Sequence, residues 1–562
     1  MDRRRAAGSG SSFLLALLVP SCLAVALLLA AGCRGANAAP RPVLAFPAAA
    51  ATTEEAPSSR HGRLRAALDA AAARVGEAHA VMSAAVAPES SSDDDGPASA
   101  RLAAAAREDC AELLEEALHL LAGAGAPGAA RDDALTWLSA ALTNHDTCAD
   151  GLAEAGDGDA PHSHSHHHAH LAAARAMVRD GLAMYASTAA EADAAAVAAT
   201  TTTAKDDAGR KNETRKGACG FPKWRPSRDR RLLRATAASL AEGADMVVAK
   251  DGTGTHATIA DAVRAAPECS ERRTVIHVKA GRYEENVKVG MRKTNLVFVG
   301  DGKGVTVVAG TRSVADRNCT TFRTATFAAS GFGFMMRDMT VENAAGPERH
   351  QAVALRVSTD RAVVHRCGIL GYQDTLYAHS NRQFYRDCDV YGTVDFVFGN
   401  AAAVLQRCSL WARRPMPGQK NTVTAQNRNE SCQRTGIVLH QCRVVPAPDL
   451  VAAPAPAPTY TYLGRPWRAY SRVVVMMSYI GEHVAPQGWL PWNESAFALD
   501  TLYYGEYMNY GPGAGLAGRV AWRGHRVINS TKEAKRFTVA KFIGGDSWLP
   551  ATGVSFEAGL SL

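Results

Sequence analysis

Several short patterns that mark common enzyme sites are absent from this chain of 562 residues. There is no Gly-x-Ser-x-Gly sequence, which excludes the elbow that exposes the nucleophilic serine of α/β-hydrolases. The Gly-rich turn at 252–254 lacks the Gly-Lys-Ser/Thr ending and the spacing of nucleotide-binding loops, so it is not a phosphate site. Six histidines lie between His162 and His170, but no carboxylate or cysteine stands at a fixed ligand spacing. We therefore expect a solvated loop between helices there rather than a metal site.

The composition is that of a globular protein. Charged residues make up 21% of the chain and apolar residues 47%, and the length allows two or more domains. The net charge of +7 is compatible with simple solubility or with attraction to an acidic polymer. Charge alone does not distinguish an acidic polysaccharide from a nucleic acid.

The N-terminal segment has the order of a secretory leader. Basic residues at 3–5 precede an apolar run from Phe13 to Gly32. This order predicts a signal peptide within residues 1–38. A run of 20 residues is also long enough for a membrane anchor that is retained before processing.

Residues 61–200 are rich in Ala, Leu, Glu and Arg, with apolar positions three and four residues apart. This periodicity predicts a small helical bundle, with helices around 110–118, 133–143 and 169–185. The Thr- and Ala-rich stretch that follows begins a predicted linker over 201–243. The linker contains the basic segment Arg230-Arg231-Leu232-Leu233.

The part of the chain around Gln351 to Asn400 has a regular step. Gln351 lies 22 residues before Gln373, and Asp374 lies 21 residues before Asp395. A step of this size predicts a parallel β-helix over 244–562, in which equivalent residues of consecutive coils stack about 4.8 Å apart. The four side chains would then lie on one face of three consecutive coils. The predicted strands are 275–278, 296–299, 305–308, 339–341, 352–357, 362–364 and 394–398, and 258–266 is a predicted capping helix.

Two carboxylates on neighbouring coils can carry chemistry. A separation of about 5 Å is the one that retaining glycosidases use for a nucleophile and an acid. A single Asp in a strand-rich chain is more often a turn residue or part of a polar ladder. Asp395, however, lies within the apolar run 394–398, where a carboxylate has to be paired or functional.

Five blocks resemble the signature sequences of plant pectin methylesterases. They are GYQDTLY, RQFYRDC, GTVDFVFGNAAAVLQ, TAQNR and YLGRPW. The resemblance runs from about Ala244 to the C-terminus and implies a secreted carbohydrate esterase with a right-handed parallel β-helix. A weaker resemblance, carried by Asp109-Cys110 and the segment 144–148, links the helical part to the pectin methylesterase inhibitor domain. In that domain the pair equivalent to Cys110 and Cys148 staples two helices; the earlier cysteine pair of an N-terminal hairpin is absent here.

The resemblance also implies a set of roles. Asp395 attacks the ester carbonyl with Arg465 paired to it, and Asp374 donates a proton to methanol and then takes one from water. The amides of Gln351 and Gln373 hold the oxyanion. Spacing alone does not say which aspartate is the nucleophile. No metal or other cofactor is implied.

The implied substrate is methyl-esterified homogalacturonan, and aromatic side chains are candidates for stacking on its sugar rings. The resemblance favours Trp467 and Trp489 as binders. Each of the candidates could equally be a packing residue. The full set is Tyr377, Phe398, Trp467, Trp489 and Trp492.

Further expectations concern processing and partners. A protease is expected to cut after Leu233, and the product is expected to be a monomer in the cell wall, open to proteinaceous pectinesterase inhibitors, with no nucleic acid partner. The twelve cysteines suit a secretory route. Cys408 and Cys442 are predicted to bridge two coils, while Cys367 and Cys388 either pair or stack. The Asn-x-Ser/Thr sites are Asn212, Asn318, Asn429, Asn493 and Asn529.

Two other functions are compatible with parts of the sequence. A pectin depolymerase of the same fold is disfavoured because the Asn-Thr-Asp, Gly-His-Gly and Arg-Ile-Lys blocks of polygalacturonases are absent. A pectin-binding or inhibitory protein, acting through its helices with an inert β-helix, is the other alternative. The Pro- and Ala-rich insertion Val445 to Pro458 predicts a stiff, extended surface loop.

Overall fold

The computed structural model describes residues 60–86, 98–156, 165–198, 237–316, 318–452 and 459–560. The predicted signal peptide and the segment Arg230 to Leu233 lie outside these ranges. Four long helices come first, followed by short helices around and within a strand-rich part. The helices are α1 Arg60–Val86, α2 Ala98–Ala124, α3 Arg131–Glu154, α4 Ser165–Ala198, α5 Ala237–Glu242, α6 Ile259–Ala265, α7 Pro448–Val451, α8 Thr531–Ala534 and α9 Val539–Phe542.

The first four helices form the predicted bundle. Leu113 and Leu114 of α2 and Leu138 and Leu142 of α3 are fully or almost fully buried in its core. The predicted disulfide between Cys110 and Cys148 is confirmed and joins α2 to α3, with the two Cα atoms 4.5 Å apart. The disulfide therefore fixes α2 and α3 relative to each other.

The His-rich segment differs from its prediction. α4 begins at Ser165, so His166 to His170 are helical, and the loop prediction is wrong for them. The alanine-rich sequence that follows favours a helix, because alanine has the highest helix propensity, and this helix extends in the N-terminal direction to include these histidines. The preceding residues 162–164 lie outside the described ranges.

The strand-rich part is the predicted right-handed parallel β-helix. Each coil contributes strands to three sheets, and the register pairs each strand in parallel with its equivalent in the next coil. The eleven-stranded sheet contains β1 Met246–Val248, β2 Thr274–Val278, β5 Leu296–Gly300, β8 Met335–Arg337, β11 Ala362–His365, β14 Arg382–Arg386, β17 Ala402–Gln406, β21 Gly436–His440, β25 Arg472–Met476, β27 Tyr503–Tyr507 and β28 His525–Val527. The eight-stranded sheet contains β3 Gly281–Glu284, β6 Thr306–Gly310, β9 Thr340–Asn343, β12 Gly368–Leu370, β15 Asp389–Gly392, β18 Ser409–Ala412, β22 Arg443–Pro446 and β26 Tyr479–Ile480. The seven-stranded sheet contains β4 Val287–Val289, β7 Phe327–Ala329, β10 Leu355–Val357, β13 Leu376–Ala378, β16 Val397–Gly399, β20 Thr424–Gln426 and β24 Arg465–Pro466, and a separate pair joins β19 Asn421–Thr422 to β23 Thr461–Tyr462.

Rows of stacked apolar side chains fill the inside of the β-helix. Val364, Tyr385, Leu405, Leu439 and Val475 occupy equivalent positions of five consecutive coils, and all are buried. The outer face of the same eleven-stranded sheet is also buried, since the C-terminal helices pack on it. Burial on both faces explains why these strands read as continuous apolar runs rather than as alternating patterns.

In seven coils, one residue just after the strand of the eleven-stranded sheet has a left-handed conformation, with φ between 49° and 56°. These residues are Asp338, Arg366, Asp387, Arg407, Gln441, Met477 and Met508. In four consecutive coils the next residue is a buried free cysteine, namely Cys367, Cys388, Cys408 and Cys442.

The predicted bridge between Cys408 and Cys442 is therefore wrong. Both thiols lie in the stack of inward-facing side chains. Cys442 Sγ contacts the Leu405 carbonyl oxygen at 3.2 Å, and Cys408 Sγ lies 3.6 Å from the Gln406 carbonyl oxygen. Cys367 and Cys388 likewise stack rather than pair.

Two smaller predictions can be compared with the structure. The capping helix is confirmed as α6, whose N-cap Thr258 accepts a hydrogen bond from the Asp261 backbone N–H at 3.0 Å. The insertion predicted as an extended loop instead forms α7 at Pro448–Val451, and residues 453–458 lie outside the described ranges. Among the helices that the structure describes, none is both long and apolar enough to cross a membrane.

Candidate active site

The predicted carboxylates stand side by side on neighbouring coils. Asp374 comes two residues before β13, and Asp395 comes two residues before β16. Because Leu376 pairs with Val397, the two aspartates occupy equivalent positions of neighbouring coils. Both have left-handed backbones, with φ of 61° and 53°. Among residues other than glycine, aspartate and asparagine accept this conformation most readily. The regular step in the sequence thus correctly predicted their proximity.

Asp395 is held in a network of strong hydrogen bonds. Arg465 donates from Nε to Asp395 Oδ1 at 2.8 Å and from Nη2 to Oδ2 at 2.6 Å. The Thr422 hydroxyl donates to Oδ1 at 2.6 Å and accepts from the Asp395 backbone N–H at 2.8 Å. A bidentate guanidinium fixes the direction of a carboxylate and stabilises its negative charge.

Asp374 has a different environment. Burial, and then the neighbouring charge of Asp395, raise the pKa of Asp374 well above the ordinary value of an aspartate. Two carboxylates that cannot both ionise easily separate into one acid and one base. The positive charge of Arg465 opposes this rise only in part.

The two predicted amides complete the site. Gln351 and Gln373 line the same cavity as both aspartates and Arg465. The cavity volume is about 250 Å³. A second cavity, of about 590 Å³, shares Gln351, Gln373 and Arg465 and extends to Lys420. The two amides and Arg465 thus lie where the two cavities adjoin.

Aromatic side chains line the smaller cavity. Tyr377 and Phe398 stack with ring centroids 4.1 Å apart, and Trp467 lies 6.0 Å from Phe398. Trp492 also lines both cavities, with the Arg465 guanidinium 4.5 Å from its ring centroid. These rings line the same cavity as both aspartates.

The structure does not place Trp489 in the groove. Its side chain is only 1% exposed and belongs to the core of the β-helix. Its indole N–H donates to Glu506 at 3.1 Å, and its ring packs 4.3 Å from that of Tyr504. The prediction that Trp489 stacks on a sugar is therefore wrong, because its indole contacts Glu506 and Tyr504, which are both buried. Trp492, three residues later, is half-buried and lines both cavities.

The helical bundle covers this site. Thr147, Asp150, Gly151 and Glu154 of α3 line the cavity opposite the aspartates. The Thr147 hydroxyl lies 2.9 Å from His379 Nε2, and Glu154 accepts a hydrogen bond from the Thr321 backbone N–H at 2.9 Å. The C-terminal half of α3 is thus the roof of the cavity.

The N-terminal half of α3 is fastened to the same face of the β-helix. Asp133 accepts hydrogen bonds from Arg382 at 2.6 Å and from Arg361 at 3.1 Å. The Trp137 indole N–H donates to Asp360 at 3.0 Å. Charged and apolar contacts therefore hold α3 along its length.

The chain thus combines a parallel β-helix with an arginine-paired carboxylate, Asp395, beside the buried Asp374 on the surface of the solenoid. The Pectinesterase family model matches residues 245–546. The chain belongs to the pectinesterase family, whose members are carboxylic ester hydrolases. Residues 43–184, a range that includes α1, α2 and α3, match the family described as Plant invertase/pectin methylesterase inhibitor. Both predicted resemblances are confirmed.

Individual relatives agree with this assignment. A "Probable pectinesterase/pectinesterase inhibitor 34" of Arabidopsis thaliana is 53% identical over 465 residues, covering 82% of this chain and 75% of that protein. "Pectinesterase/pectinesterase inhibitor PPE8B" of Prunus persica is 46% identical, covering 77% of this chain and 76% of its own. The solved structure "Pectin methylesterase from Carrot" has 53% identity and a TM-score of 0.55, and covers 57% of this chain and 98% of that one.

Proposed function

We propose that this chain hydrolyses the methyl esters of galacturonate units in pectin, giving pectate and methanol. The observation that carries the proposal is the bidentate contact of Arg465 with Asp395, at 2.8 and 2.6 Å, beside the buried Asp374. The first group is prepared to attack and the second to give a proton.

The reaction follows from these positions. An Asp395 oxygen attacks the ester carbonyl carbon, and the amides of Gln351 and Gln373 donate to the oxyanion. The intermediate collapses, the C–O bond to the methyl group's oxygen breaks, and Asp374 protonates the departing methoxide. Water then loses a proton to Asp374 and attacks the acyl-enzyme anhydride, which releases the acid and restores Asp395 as a carboxylate.

Removal of one oxyanion donor tests the role of the amides. We expect Gln373→Ala to lower kcat by about 10²- to 10³-fold, because the lost hydrogen bond is made mainly in the transition state. KM should change little. A Gln373→Glu variant should be at least as impaired, since a second negative charge would face the oxyanion. An unchanged kcat in Gln373→Ala would remove this residue from the mechanism.

We further propose that the helical part keeps the enzyme latent until it is released. α3 occupies the space above the two aspartates, and a cavity of about 250 Å³ does not admit a polymer. Cleavage after Leu233 by a processing protease would release the bundle from the β-helix. We propose secretion to the cell wall for the product, as a monomer open to proteinaceous pectinesterase inhibitors.

Latency should depend on pH. Burial raises the pKa of Asp109, Asp150 and Glu154 above the ordinary values, although Arg323 and Arg468, which face the first two, oppose this effect. Carboxyls with raised pKa bind protons more readily when the bundle is docked, so docking is favoured at low pH. As pH rises through the raised pKa values, these groups must ionise while buried and docking weakens.

The measurement is a ratio of rates. We denote as the cut chain a full-length protein with an added protease site within residues 201–233, folded, then cut and diluted. Methanol release by the uncut chain, divided by that of the cut chain, should increase as the pH rises. A ratio that falls with rising pH would contradict this linkage.

The proposed activity is tested by two signals from one incubation. Highly esterified pectin is treated with the cut chain, and methanol and viscosity are followed together. An esterase releases methanol while the viscosity stays constant, whereas a depolymerase lowers the viscosity. Failure of the folded cut chain to release methanol from any pectin would overturn the proposal and favour a binding or inhibitory role.

A further inference from the structure

The outward face of the seven-stranded sheet carries one row of residues in register from coil to coil. The row leads from the catalytic arginine to the first coils of the solenoid. Its members are Arg465, Ala425, Phe398, Tyr377, Arg356, Ala328 and Lys288. The aromatic pair of the groove is therefore followed directly by cations along the same line.

Other cations join this end of the row. Lys288, Arg312, Arg323 and Arg356 line one cavity of about 260 Å³. The Arg356 guanidinium lies 3.3 Å from the centroid of the Phe322 ring. Phe322 directly precedes Arg323 in the sequence. We refer to Lys288, Arg323 and Arg356 as the basic row. It lies on the same face as the aspartates, with Arg356 one coil from Asp374 and two coils from Asp395.

The helix α2 covers the basic row with carboxylates. Asp109 accepts hydrogen bonds from Arg323 Nε at 3.0 Å and from the Thr320 hydroxyl at 2.6 Å. Glu108 accepts a bond from Arg323 at 2.9 Å, and Glu112 pairs with Lys288. Cations on the β-helix are thus matched by carboxylates that belong to the part we propose is removed.

Arg356 provides an independent indication that the row is built for a ligand. Its side chain is only 3% exposed when α2 is in place. Its Nη1 donates to the Ser358 hydroxyl at 3.3 Å, but its buried Nε has no hydrogen-bond partner within the described part of the chain. A buried guanidinium with a spare donor is costly unless some bound group uses it.

We propose that the basic row binds the free carboxylates of galacturonate units that are already de-esterified, and that α2 occupies this site with its own carboxylates. This inference rests on the proposed function. Each turnover at the aspartates creates one carboxylate on the polymer. A chain that runs along the row would place its de-esterified end on Arg356 and Arg323 and its next methyl ester at Asp395. The site therefore favours consecutive removal of esters and makes α2 a mimic of the product.

Binding to inactive protein tests the assignment without turnover. The cut chain carrying Asp395→Asn is titrated with two galacturonate hexamers, one fully de-esterified and one fully methyl-esterified. Adding Arg356→Gln should weaken binding of the de-esterified hexamer about tenfold or more, since a hydrogen bond to a charged group is lost. The esterified hexamer should bind within about twofold of the parent, as it carries no charge for Arg356 to meet.

A matched control removes the same charge elsewhere. Arg526 is exposed on β28 of the eleven-stranded sheet, and Arg526→Gln should leave both affinities unchanged. Raising the salt concentration should weaken the binding of the de-esterified hexamer and leave that of the esterified hexamer unchanged. The loss with salt should be smaller in Arg356→Gln than in the parent. Equal losses for both hexamers, or no loss for either, would overturn the proposal.

The two levels of the account fail differently. If the active cut chain releases no methanol from any pectin, the proposed function is wrong. If it releases methanol normally but Arg356→Gln binds both hexamers as the parent does, the esterase stands and the carboxylate site is refuted.

Discussion

Replacement of Asp395 by Asn should lower kcat of the cut chain by roughly 10⁴-fold or more, because the variant loses the atom that forms the acyl-enzyme. Asparagine keeps the shape of the side chain, and aspartate and asparagine tolerate the left-handed backbone equally. KM should change much less than kcat, since the aromatic groove stays intact. Methanol release under saturating pectin measures the effect.

The matched control is Asp387→Asn. Asp387 has the same φ of 53° as Asp395. It lies at the turn between the eleven-stranded and the eight-stranded sheet, whereas Asp395 lies between the eight-stranded and the seven-stranded sheet. It contacts Arg386 at 3.3 Å and is far less buried than Asp395. This variant should keep the parental rate. If both variants lose activity together, local backbone damage rather than lost chemistry would explain the result.

Weakening of α3 in the uncut chain should have the opposite effect. We expect the double variant Asp133→Asn, Trp137→Ala to raise methanol release by about tenfold or more. Loss of one partner of a buried charge pair commonly costs about 2–5 kcal/mol, and each 1.4 kcal/mol is tenfold in an equilibrium. Asp133 contacts two arginines and Trp137 contacts Asp360, so the double variant removes two of the contacts that attach the N-terminal half of α3 to the β-helix.

A control on another helix separates release from general loosening of the bundle. Asp69 of α1 pairs with Arg65 at 3.1 Å, and both side chains are exposed. Asp69→Asn should leave the uncut rate unchanged. The cut chain of the double variant should match the cut parent, because the β-helix is untouched. If the uncut double variant is no faster than the uncut parent, α3 does not limit access to the aspartates.

The repeat step made the candidate site of this protein predictable. Residues one coil apart stack, so the positions of Gln373, Asp374 and Asp395 in the sequence sufficed to predict their proximity. The helical bundle was predictable for a similar reason, because its apolar period is local. Which aspartate attacks came from resemblance and from the contact of Arg465, which lies 70 residues from Asp395.

The rest required contacts that the sequence does not record. Trp489 and Trp492 are both aromatic and close in sequence, but only the position of Glu506 shows which one is internal. Cys408 and Cys442 were expected to bridge because they occupy neighbouring coils, yet the same inward stacking keeps them as thiols. The docking of α3 joins residues more than 200 positions apart, such as Trp137 and Asp360, and has no repeat to reveal it.

The most direct test follows methanol release from highly esterified pectin while one sample of the full-length chain is converted to the cut chain. The account predicts a low initial rate that rises with the fraction cut and diluted, and no rise in the Asp395→Asn protein cut in parallel. A rate that is the same before and after cutting would contradict the covering of the site by α3. A rise of equal size in Asp395→Asn would contradict the assignment of the reaction to this aspartate.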